Sequence, residues 1–291
     1  ELELKRGGRT ARVETLGGEL VSYRDERGLE YIWGGDPAYW PGRNPLLFPI
    51  VGMLKEGKIR FDGREYAMER HGFARRREFT PAARGEDWVR LELRESAETL
   101  ALYPYPFRLA VEQRLTDTGF STAVTVANPG EGPLPFCLGA HTGFRCPLEA
   151  GERFEDYELV FPERESCPTL LLRDGLLDRP AALPCLEDTD TLPLDYRWFD
   201  ALDTLIFEGL RSRSVALRSR KSGRGVRVSF DGFPMLAFWT MPGKKAPYLC
   251  IEPWHGCAAG TAEGPEFTDK AHCIVLAPGE SRTLAYRADT L

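Results

Sequence analysis

Hydrophobic and polar residues alternate along much of the chain with a period of two, whereas the three-to-four-residue period of an amphipathic helix is hard to find. In DWVRLELRES (residues 87–96), every second position from Val89 to Leu93 is apolar and the positions between them are charged. FSTAVTVAN (residues 120–128) repeats the alternation. Such segments predict short, half-buried β-strands.

Turn signals separate these predicted strands at short, fairly even intervals. KIRFDGREYAM predicts a hairpin with Asp62-Gly63 at its turn, because this dipeptide tolerates the positive φ angles of tight hairpins. VRVSFDGFPMLAFW suggests a second hairpin at Asp231-Gly232. Further turns are predicted at DERG, TDTG, KSGRG and APGE, and the 22 prolines and 29 glycines suit such turns. The pattern predicts an all-β fold, a large antiparallel sandwich or barrel.

The chain shows no low-complexity linker and no internal repeat, so we expect a single domain over residues 1–291. The most irregular segment, residues 163–200, is predicted to be a long excursion that closes one end of the sandwich.

Charge and cysteine content narrow the class of protein. A net charge of -6 argues against a nucleic-acid surface, which needs clustered positive charge. No apolar stretch approaches the roughly 20 residues of a membrane span, and the first residues show no secretion signal. Seven cysteines, an odd number without any C-x-x-C pair, suit reduced and mostly buried thiols. We therefore expect a cytoplasmic protein that contacts neither membrane nor nucleic acid.

Three polar residues stand in apolar company. His71 precedes Gly72-Phe73, His141 follows the apolar run LPFCLGA, and Glu252 follows the apolar run APYLCI. Taken singly, either histidine could be a structural hydrogen-bonding group, and Glu252 could be half of a buried ion pair. Together, two imidazoles and a desolvated carboxylate can supply a general acid and a general base to one concave site.

The other two histidines carry a weaker signal. His255 could line the rim of the same site or lie in a surface loop, and His272 is expected to be structural. The sequence contains no HExxH, no close His-x-His and no carboxylate cluster at ligand spacing, so it predicts no metal site. It also lacks a nucleotide-binding glycine pattern and a nucleophile elbow, and no cofactor is expected. Tryptophans near strand ends, Trp254 among them, suit the apolar face of a sugar.

Four ordered motifs together resemble the aldose 1-epimerase (galactose mutarotase) family, and its LacX-like branch most closely. They are LLFPIVGMLKEGKIRFDGREY, HGFAR, GAHTGFRCPL and PYLCIEPWHG, and the likeness extends from GGELVSYRDERGLEYIWGGDPAYW to LAPGESRTLAYR. The resemblance implies a β "supersandwich" fold. It also implies interconversion of the α and β anomers of a free aldose, without metal or cofactor.

The resemblance also implies roles for individual residues. Glu252 is similar to the general base that takes the proton of the C1 hydroxyl, and His141 to the general acid that protonates the ring oxygen. His71 resembles the second active-site histidine, a hydrogen-bond donor to the sugar. Asp203, in WFDALDTLIFEGL, resembles a substrate-binding aspartate.

The chain departs from the family pattern where the family places a substrate-binding arginine after an asparagine. Gly52-Met53 stands there instead, and methionine cannot form the paired hydrogen bonds of a guanidinium. Arg43, Arg75 or Lys55 could substitute.

Two other functions therefore stay open. One is an enzyme of the same fold that acts on a phosphorylated hexose, with Arg43, Arg75 and Arg76 as contributors to a basic pocket. The other is a sugar-binding or sensor protein. The expected partner is a small-molecule sugar, and the expected assembly is a monomer or homodimer.

Overall fold

A computed structural model describes residues 1–291, which form 22 β-strands and very little helix. The first half of the chain contributes β1 Leu2–Arg6, β2 Arg9–Val13, β3 Leu20–Arg24, β4 Leu46–Leu47, β5 Lys58–Phe61, β6 Arg64–Ala67, β7 Thr80–Arg84, β8 Trp88–Arg94, β9 Arg108–Leu115, β10 Gly119–Ala127, β11 Leu134–Phe136, β12 Leu138–Ala140 and β13 Thr142–Arg145. The second half contributes β14 Tyr157–Arg173, β15 Leu176–Pro193, β16 Thr204–Glu208, β17 Ser214–Ser219, β18 Gly225–Ser229, β19 Met235–Trp239, β20 Tyr248–His255, β21 Ile274–Leu276 and β22 Ser281–Thr290.

Two short α-helices, α1 Ala97–Leu100 and α2 Tyr196–Leu202, lie between strands. Single 3₁₀ turns occur at Lys55–Gly57, Ala74–Arg76, Phe154–Asp156 and Phe267–Asp269. No helix has the length and apolar character that a membrane crossing demands.

Fifteen of the strands form one antiparallel sheet, in the order β4-β12-β20-β19-β16-β14-β17-β18-β22-β10-β9-β8-β7, with β13 added on β20 and β15 on β14. Strand β14 joins the two parts of this sheet. Its first residues pair with β17, and Leu170 near its end pairs with Ile206 of β16. A core cluster of 70 buried residues draws on both parts, for example Val124 and Leu217 from one and Phe238 and Ile251 from the other. The predicted all-β, antiparallel fold class is confirmed.

The strand predictions that rest on strict alternation are confirmed. Val89 and Leu91 in β8 are fully buried, and the even-numbered residues of β10 from Phe120 to Val126 are buried as well. The predicted hairpin at Asp62-Gly63 joins β5 to β6, and both turn residues have positive φ, 50° and 74°. This is the backbone geometry for which the Asp-Gly dipeptide is selected.

The predicted hairpin at Asp231-Gly232 is wrong. The chain does turn there, but β18 pairs with β17 and β22, whereas β19 pairs with β16 and β20 in the other part of the sheet. Phe230 and Phe233, on either side of the turn, are both buried, so the connection is packed into the core. A local turn signal fixes the reversal of the chain and says nothing of which strand becomes the partner.

The segment of residues 163–200 is far more regular than its sequence suggests. Most of it belongs to the long hairpin of β14 and β15, whose register shifts four times. Each such bulge reverses the side-chain alternation, which hides the strand pattern. Prolines such as Pro180 and Pro184 are tolerated because β14 is the only strand that pairs with β15 along this stretch, which leaves its other edge unpaired there. The tip of this hairpin reaches the candidate site described next.

Candidate functional site

Strand β20 sends its side chains to two different environments. Leu249 and Ile251 enter the main core, while Tyr248 and Cys250 belong to a separate small aromatic cluster with Trp33 on the opposite face. Because side chains alternate along a strand, Glu252 lies on the same face as Cys250. Glu252 is only 1% exposed, so the fold buries a carboxylate on the same face as the small aromatic cluster.

His141 lies directly across from Glu252. Thr142 pairs with Ile251 and Leu138 with His255, and the register between these pairs places His141 opposite Glu252. The His141 Nε2 atom is 3.3 Å from Glu252 Oε1. The other carboxylate oxygen, Oε2, accepts a hydrogen bond of 3.2 Å from the indole Nε1 of Trp254. Both oxygens of Glu252 are therefore held in place by ring nitrogens.

Burial shifts the pKa values of both groups in opposite directions. Desolvation lowers the pKa of His141 to about 3 and raises the pKa of Glu252 well above its ordinary value of 4.5. The hydrogen bond from Trp254 opposes the second shift and does not overcome it. Each charged form is disfavoured in this environment, so the pair tends to hold one proton between its two members near neutral pH.

Two tryptophans enclose His141. The Trp40 ring lies 4.9 Å from the imidazole at an angle of 32°, and the Trp239 ring lies 5.6 Å away at 74°. The loop that carries Trp40 docks on the sheet where the Gly143 N–H donates to the Arg43 carbonyl at 2.7 Å. A Cβ atom at Gly143 would stand 3.1 Å from the Trp40 ring and from that carbonyl, which leaves little room for a side chain there. The two indoles form an aromatic wall beside the acid–base pair.

His71 is the second histidine of the site and is held by Gly52. The backbone N–H of Gly52 donates to Nδ1 of the His71 ring at 3.1 Å, and the backbone N–H of His71 donates to the Gly52 carbonyl at 2.9 Å. Since Nδ1 accepts, the neutral ring carries its proton on Nε2. Burial, followed by the nearby His141 and two arginines, lowers the His71 pKa well below 6.5, which favours this neutral donor form.

The backbone around His71 is unusual. His71 has a φ of 67°, and Gly72 follows with a φ of 69°. A Cβ atom at Gly72 would approach the Phe48 carbonyl oxygen to 2.3 Å, so only glycine fits there. The HGF motif thus turns the imidazole back toward His141, whose ring centroid is 5.6 Å away.

Charged and polar groups complete a cavity of about 280 Å³ around the pair. Asp203, just after α2, accepts a hydrogen bond of 2.8 Å from the Thr204 hydroxyl. Arg75 donates to the Arg70 carbonyl at 2.8 Å, and its buried Nε atom has no hydrogen-bond partner. The Arg70 guanidinium reaches Met53, with Nη2 2.8 Å from Sδ. The volume lies near the lower end of the range for ligand pockets and suits a small, polar ligand.

Most of the residues predicted from the sequence meet in this cavity. His71, His141, Asp203, Arg75, Glu252 and Trp254 all line it. The Trp254 indole donates to Glu252, so this ring orients the carboxylate as well as lining the wall.

Arg43 and two other predicted basic residues do not line the cavity. The Arg43 side chain donates to the Gly34 carbonyl at 3.1 Å, so the structure does not bring this predicted sugar-binding residue into the cavity. Arg76 pairs with Glu69 at the surface, and Lys55 donates to the Glu263 carbonyl at 2.6 Å.

The remaining histidines lie elsewhere. His255 Nδ1 contacts the His272 carbonyl at 2.8 Å, on the face of β20 opposite to Glu252. His272 itself pairs with Glu208.

Sequence reasoning missed Arg70 and the position of Cys250 beside the pair. Arg70 stands in the charged stretch ERHGFARRR, where nothing in the sequence distinguishes it from the other arginines. Cys250 precedes Glu252 by two residues, and strict strand alternation could have placed both on one face.

Comparison with known proteins gives the same picture over the whole chain. The sequence profile described as aldose 1-epimerase matches residues 1–288. A plasmid-encoded protein LacX of Lactococcus lactis subsp. lactis is 40% identical over 293 aligned residues, which cover 98% of this chain and 97% of that protein.

Solved structures agree with the sequence comparison. A galactose mutarotase related enzyme from Lactobacillus acidophilus superimposes with a TM-score of 0.95 at 27% identity, covering 100% of this chain and 97% of that one. A galactose mutarotase-like protein from Lactobacillus casei gives a TM-score of 0.93 at 27% identity, with 100% and 99% coverage.

Proposed function

Because the chain belongs to the aldose 1-epimerase family and is thus an enzyme of the isomerase class, we propose that it interconverts the α and β anomers of a free aldose. The observation that carries the proposal is the buried pair of His141 and Glu252, 3.3 Å apart, in a cavity of about 280 Å³. Mutarotation needs one proton removed and one delivered, and such a pair supplies both.

The proposed reaction begins with the sugar's C1 hydroxyl at Glu252. The carboxylate takes the hydroxyl proton while the C1–O5 bond breaks, and protonated His141 delivers its proton to O5. The open-chain aldehyde then rotates about the C1–C2 bond and presents its other face. Reversal of the two proton transfers closes the ring as the other anomer, and the pair regains its original proton count.

Sugar binding would set the proton in the productive place. In the empty cavity the two groups share one proton, and burial favours its position on Glu252. The proton has to move to His141 before Glu252 can act as a base. Insertion of a sugar hydroxyl between the two groups supplies the polar contacts that a charged carboxylate and imidazolium lack in the empty cavity.

The other cavity residues would hold the sugar. His71 presents its Nε2–H as a donor, Asp203 can accept from a hydroxyl, and the Trp40 and Trp239 rings offer apolar surface to the C–H face. Trp254 keeps the Glu252 carboxylate oriented. These are contacts to a ligand, whereas the proton transfers belong to the pair alone.

Polarimetry tests the proposal directly. Freshly dissolved α-D-glucose and α-D-galactose should relax to their equilibrium rotations faster with the protein than without it. Glu252→Gln should abolish the acceleration. His255→Asn is a matched control, because this residue lies on the same strand outside the cavity, and it should retain the acceleration. Normal turnover by Glu252→Gln would contradict the proposal.

A hexose phosphate is a second candidate substrate, favoured by the two arginines of the cavity. Arg70 and Arg75 both line it, and Arg75 has a buried nitrogen without a partner. Paired guanidinium donors suit a phosphate. If hexose 6-phosphates are the substrates, exchange between their anomers in NMR spectra should accelerate while free hexoses stay slow.

Matched arginine variants test that second candidate. Arg70→Gln should then raise KM for the phosphate, whereas Arg76→Gln should not, because Arg76 lies outside the cavity and pairs with Glu69. A protein that binds sugars and accelerates neither reaction would instead be a sugar-binding or sensor protein, a role for which an acid–base pair is not needed.

A further inference from the structure

Three side chains that can ligate a metal ion lie close together at the cavity: His141 and Glu252 line it, and Cys250 is buried next to them. The ligating atoms of His141, Cys250 and Glu252 all lie within 4.8 Å of one another, and all three residues are buried. Cys250 and Glu252 are two residues apart on one face of β20, and His141 faces Glu252 from the single residue between β12 and β13, both of which pair with β20. Two of the groups therefore stand on a strand and the third is held between two paired strands, a more precise support for a site than a loop.

The spacing of these atoms agrees with tetrahedral coordination. Zinc binds nitrogen and carboxylate oxygen at about 2.0–2.2 Å, so two such ligands on one tetrahedral ion are about 3.3–3.5 Å apart. The separation of His141 Nε2 and Glu252 Oε1 is 3.3 Å. A thiolate ligand at about 2.3 Å from the ion lies within about 4 Å of its fellow ligands. The Cys250 Sγ atom lies within 4.8 Å of the ligating atoms of His141 and Glu252, so a small movement of the side chain at most would bring it to ligand distance.

The available donors and the local charge also suit such an ion. The only neighbour of His141 Nε2 within ion-pair distance is Glu252, and His141 Nδ1 is buried without any partner, so neither ring nitrogen is committed elsewhere. Cys250 packs with Trp33 and Tyr248 in a small apolar cluster. A thiolate and a carboxylate together carry two negative charges, which one divalent cation neutralises. A donor set of one sulfur, one nitrogen and one oxygen favours zinc over magnesium or calcium.

We propose that His141, Cys250 and Glu252 form a binding site for a thiophilic divalent cation such as Zn²⁺, with a fourth position open to the cavity, and that the bound ion inhibits the enzyme. The ion would inhibit because it coordinates His141 and Glu252, the two groups that exchange protons with the sugar. That consequence rests on the proposed function, whereas the binding of the ion does not.

Cobalt(II) is the first probe, because thiolate ligation to this ion produces a charge-transfer absorption that imidazole and carboxylate ligands do not. The metal-free, reduced protein should bind one equivalent with this absorption. Cys250→Ala should lose it. Cys146→Ala is the matched control, since Cys146 is equally buried and lies outside the cluster, and it should retain the absorption.

Zinc affinity, measured by calorimetry, should fall more than about 100-fold in Cys250→Ala, because loss of even an outer partner of a metal ligand costs about 10- to 100-fold. Cys250→Ser serves as a second variant that keeps the side-chain volume, and thermal melting checks that each variant is folded. Absence of the thiolate absorption in the wild type would overturn the site. The site would also be overturned if the folded Cys250→Ala variant kept both the thiolate absorption and the zinc affinity of the wild type.

Polarimetry with Zn²⁺ tests the inhibition separately, with each variant compared with its own metal-free rate. Zinc should slow anomer exchange in the wild type and in Cys146→Ala, and should do so far less in Cys250→Ala. Zinc binding without any slowing would overturn the inhibitory role. Zinc binding by a protein that accelerates no sugar would contradict the proposed function and leave the metal site standing.

Discussion

The four histidines of this protein form two pairs, and each pair has a glutamate beside it. His71 and His141 stand near Glu252, with ring centroids 5.6 Å apart and an interplanar angle of 88°. His255 and His272 stand near Glu208, with centroids 6.2 Å apart at 87°. The residue types and the ring geometry are nearly the same, yet only the first pair lines the cavity.

The difference lies in what surrounds each glutamate. Burial alone raises the pKa of Glu208, but hydrogen bonds from Arg179 and His272 outweigh it and lower the pKa overall. Glu252 has no arginine partner, its side chain is 2% exposed against 27% for Glu208, and its pKa is raised. A permanent cation fixes Glu208 as a structural anion. Glu252 keeps a movable proton because its only ionisable partner is a histidine.

The largest difference in activity is expected between variants of the two glutamates. Glu252→Gln should lower kcat for mutarotation by about 10²- to 10⁴-fold, the usual range for loss of a general base. Glu208→Gln should change it little, because this carboxylate is outside the cavity. Polarimetric rates of both variants measure the contrast. An equal loss in both would mean that the distinction drawn from burial and charge is wrong.

A second contrast concerns the donor role of His71. In His71→Asn the side-chain amide oxygen can still accept the hydrogen bond from the Gly52 N–H in place of Nδ1. Asparagine also tolerates the positive φ at this position, but the Nε2 donor is lost. One hydrogen bond of about 1 kcal/mol corresponds to roughly a fivefold to tenfold fall in kcat/KM. His71→Gln, whose amide can reach the Nε2 position, should recover part of the loss. The control variant His255→Asn should show no loss of kcat/KM.

The pH profile should separate the buried pair from an ordinary histidine. Burial disfavours both the doubly protonated, cationic form of the His141–Glu252 pair and its fully deprotonated, anionic form. The active one-proton form should therefore span the neutral range, and kcat/KM should stay flat through pH 6.5. Its acidic limb should approach the pKa of His141, about 3. An acidic limb centred at 6.5 would indicate a solvated imidazole and contradict the account.

The smallest effect should appear in stability. Glu208→Gln should lower the free energy of unfolding at pH 7 by about 1 kcal/mol, because charge-assisted bonds from Arg179 and His272 are lost at a partly exposed site. Glu208 has a lowered pKa in the folded state, so this contribution is present above the unfolded value of 4.5 and disappears as the pH falls through the folded value. Glu252→Gln should not destabilise the protein at pH 7. Urea unfolding at pH 7 and in acid measures both.

Strict alternation in the sequence was sufficient to predict strands but not their partners. Val89 and Leu91 show their burial in the sequence, because one side of β8 faces the core. Packing between distant segments determines which strands pair with β18 and β19, on either side of Asp231-Gly232, and a local turn signal carries no information about that packing. Bulges concealed the long hairpin of β14 and β15 for a related reason, since each one reverses the alternation on which the prediction depends.

The acid–base pair was easier to predict than its surroundings. His141 and Glu252 stand out because a polar group at the end of an apolar run is costly without a function or a partner. Arg43 and Arg70 show no such contrast with their neighbours. The fold turns Arg43 toward the Gly34 carbonyl and Arg70 into the cavity beside Met53. That choice depends on loop conformation and leaves no periodic trace in the sequence.

The most direct test of the central claim, that His141 and Glu252 act as one unit that shares a proton, is a double-mutant cycle in kcat. Rates are measured for the wild type, His141→Asn, Glu252→Gln and the double variant. Groups that act as a unit show strongly non-additive losses. The double variant should therefore be about as slow as the slower single variant. Losses that multiply would mean that the two residues act independently and would contradict the account.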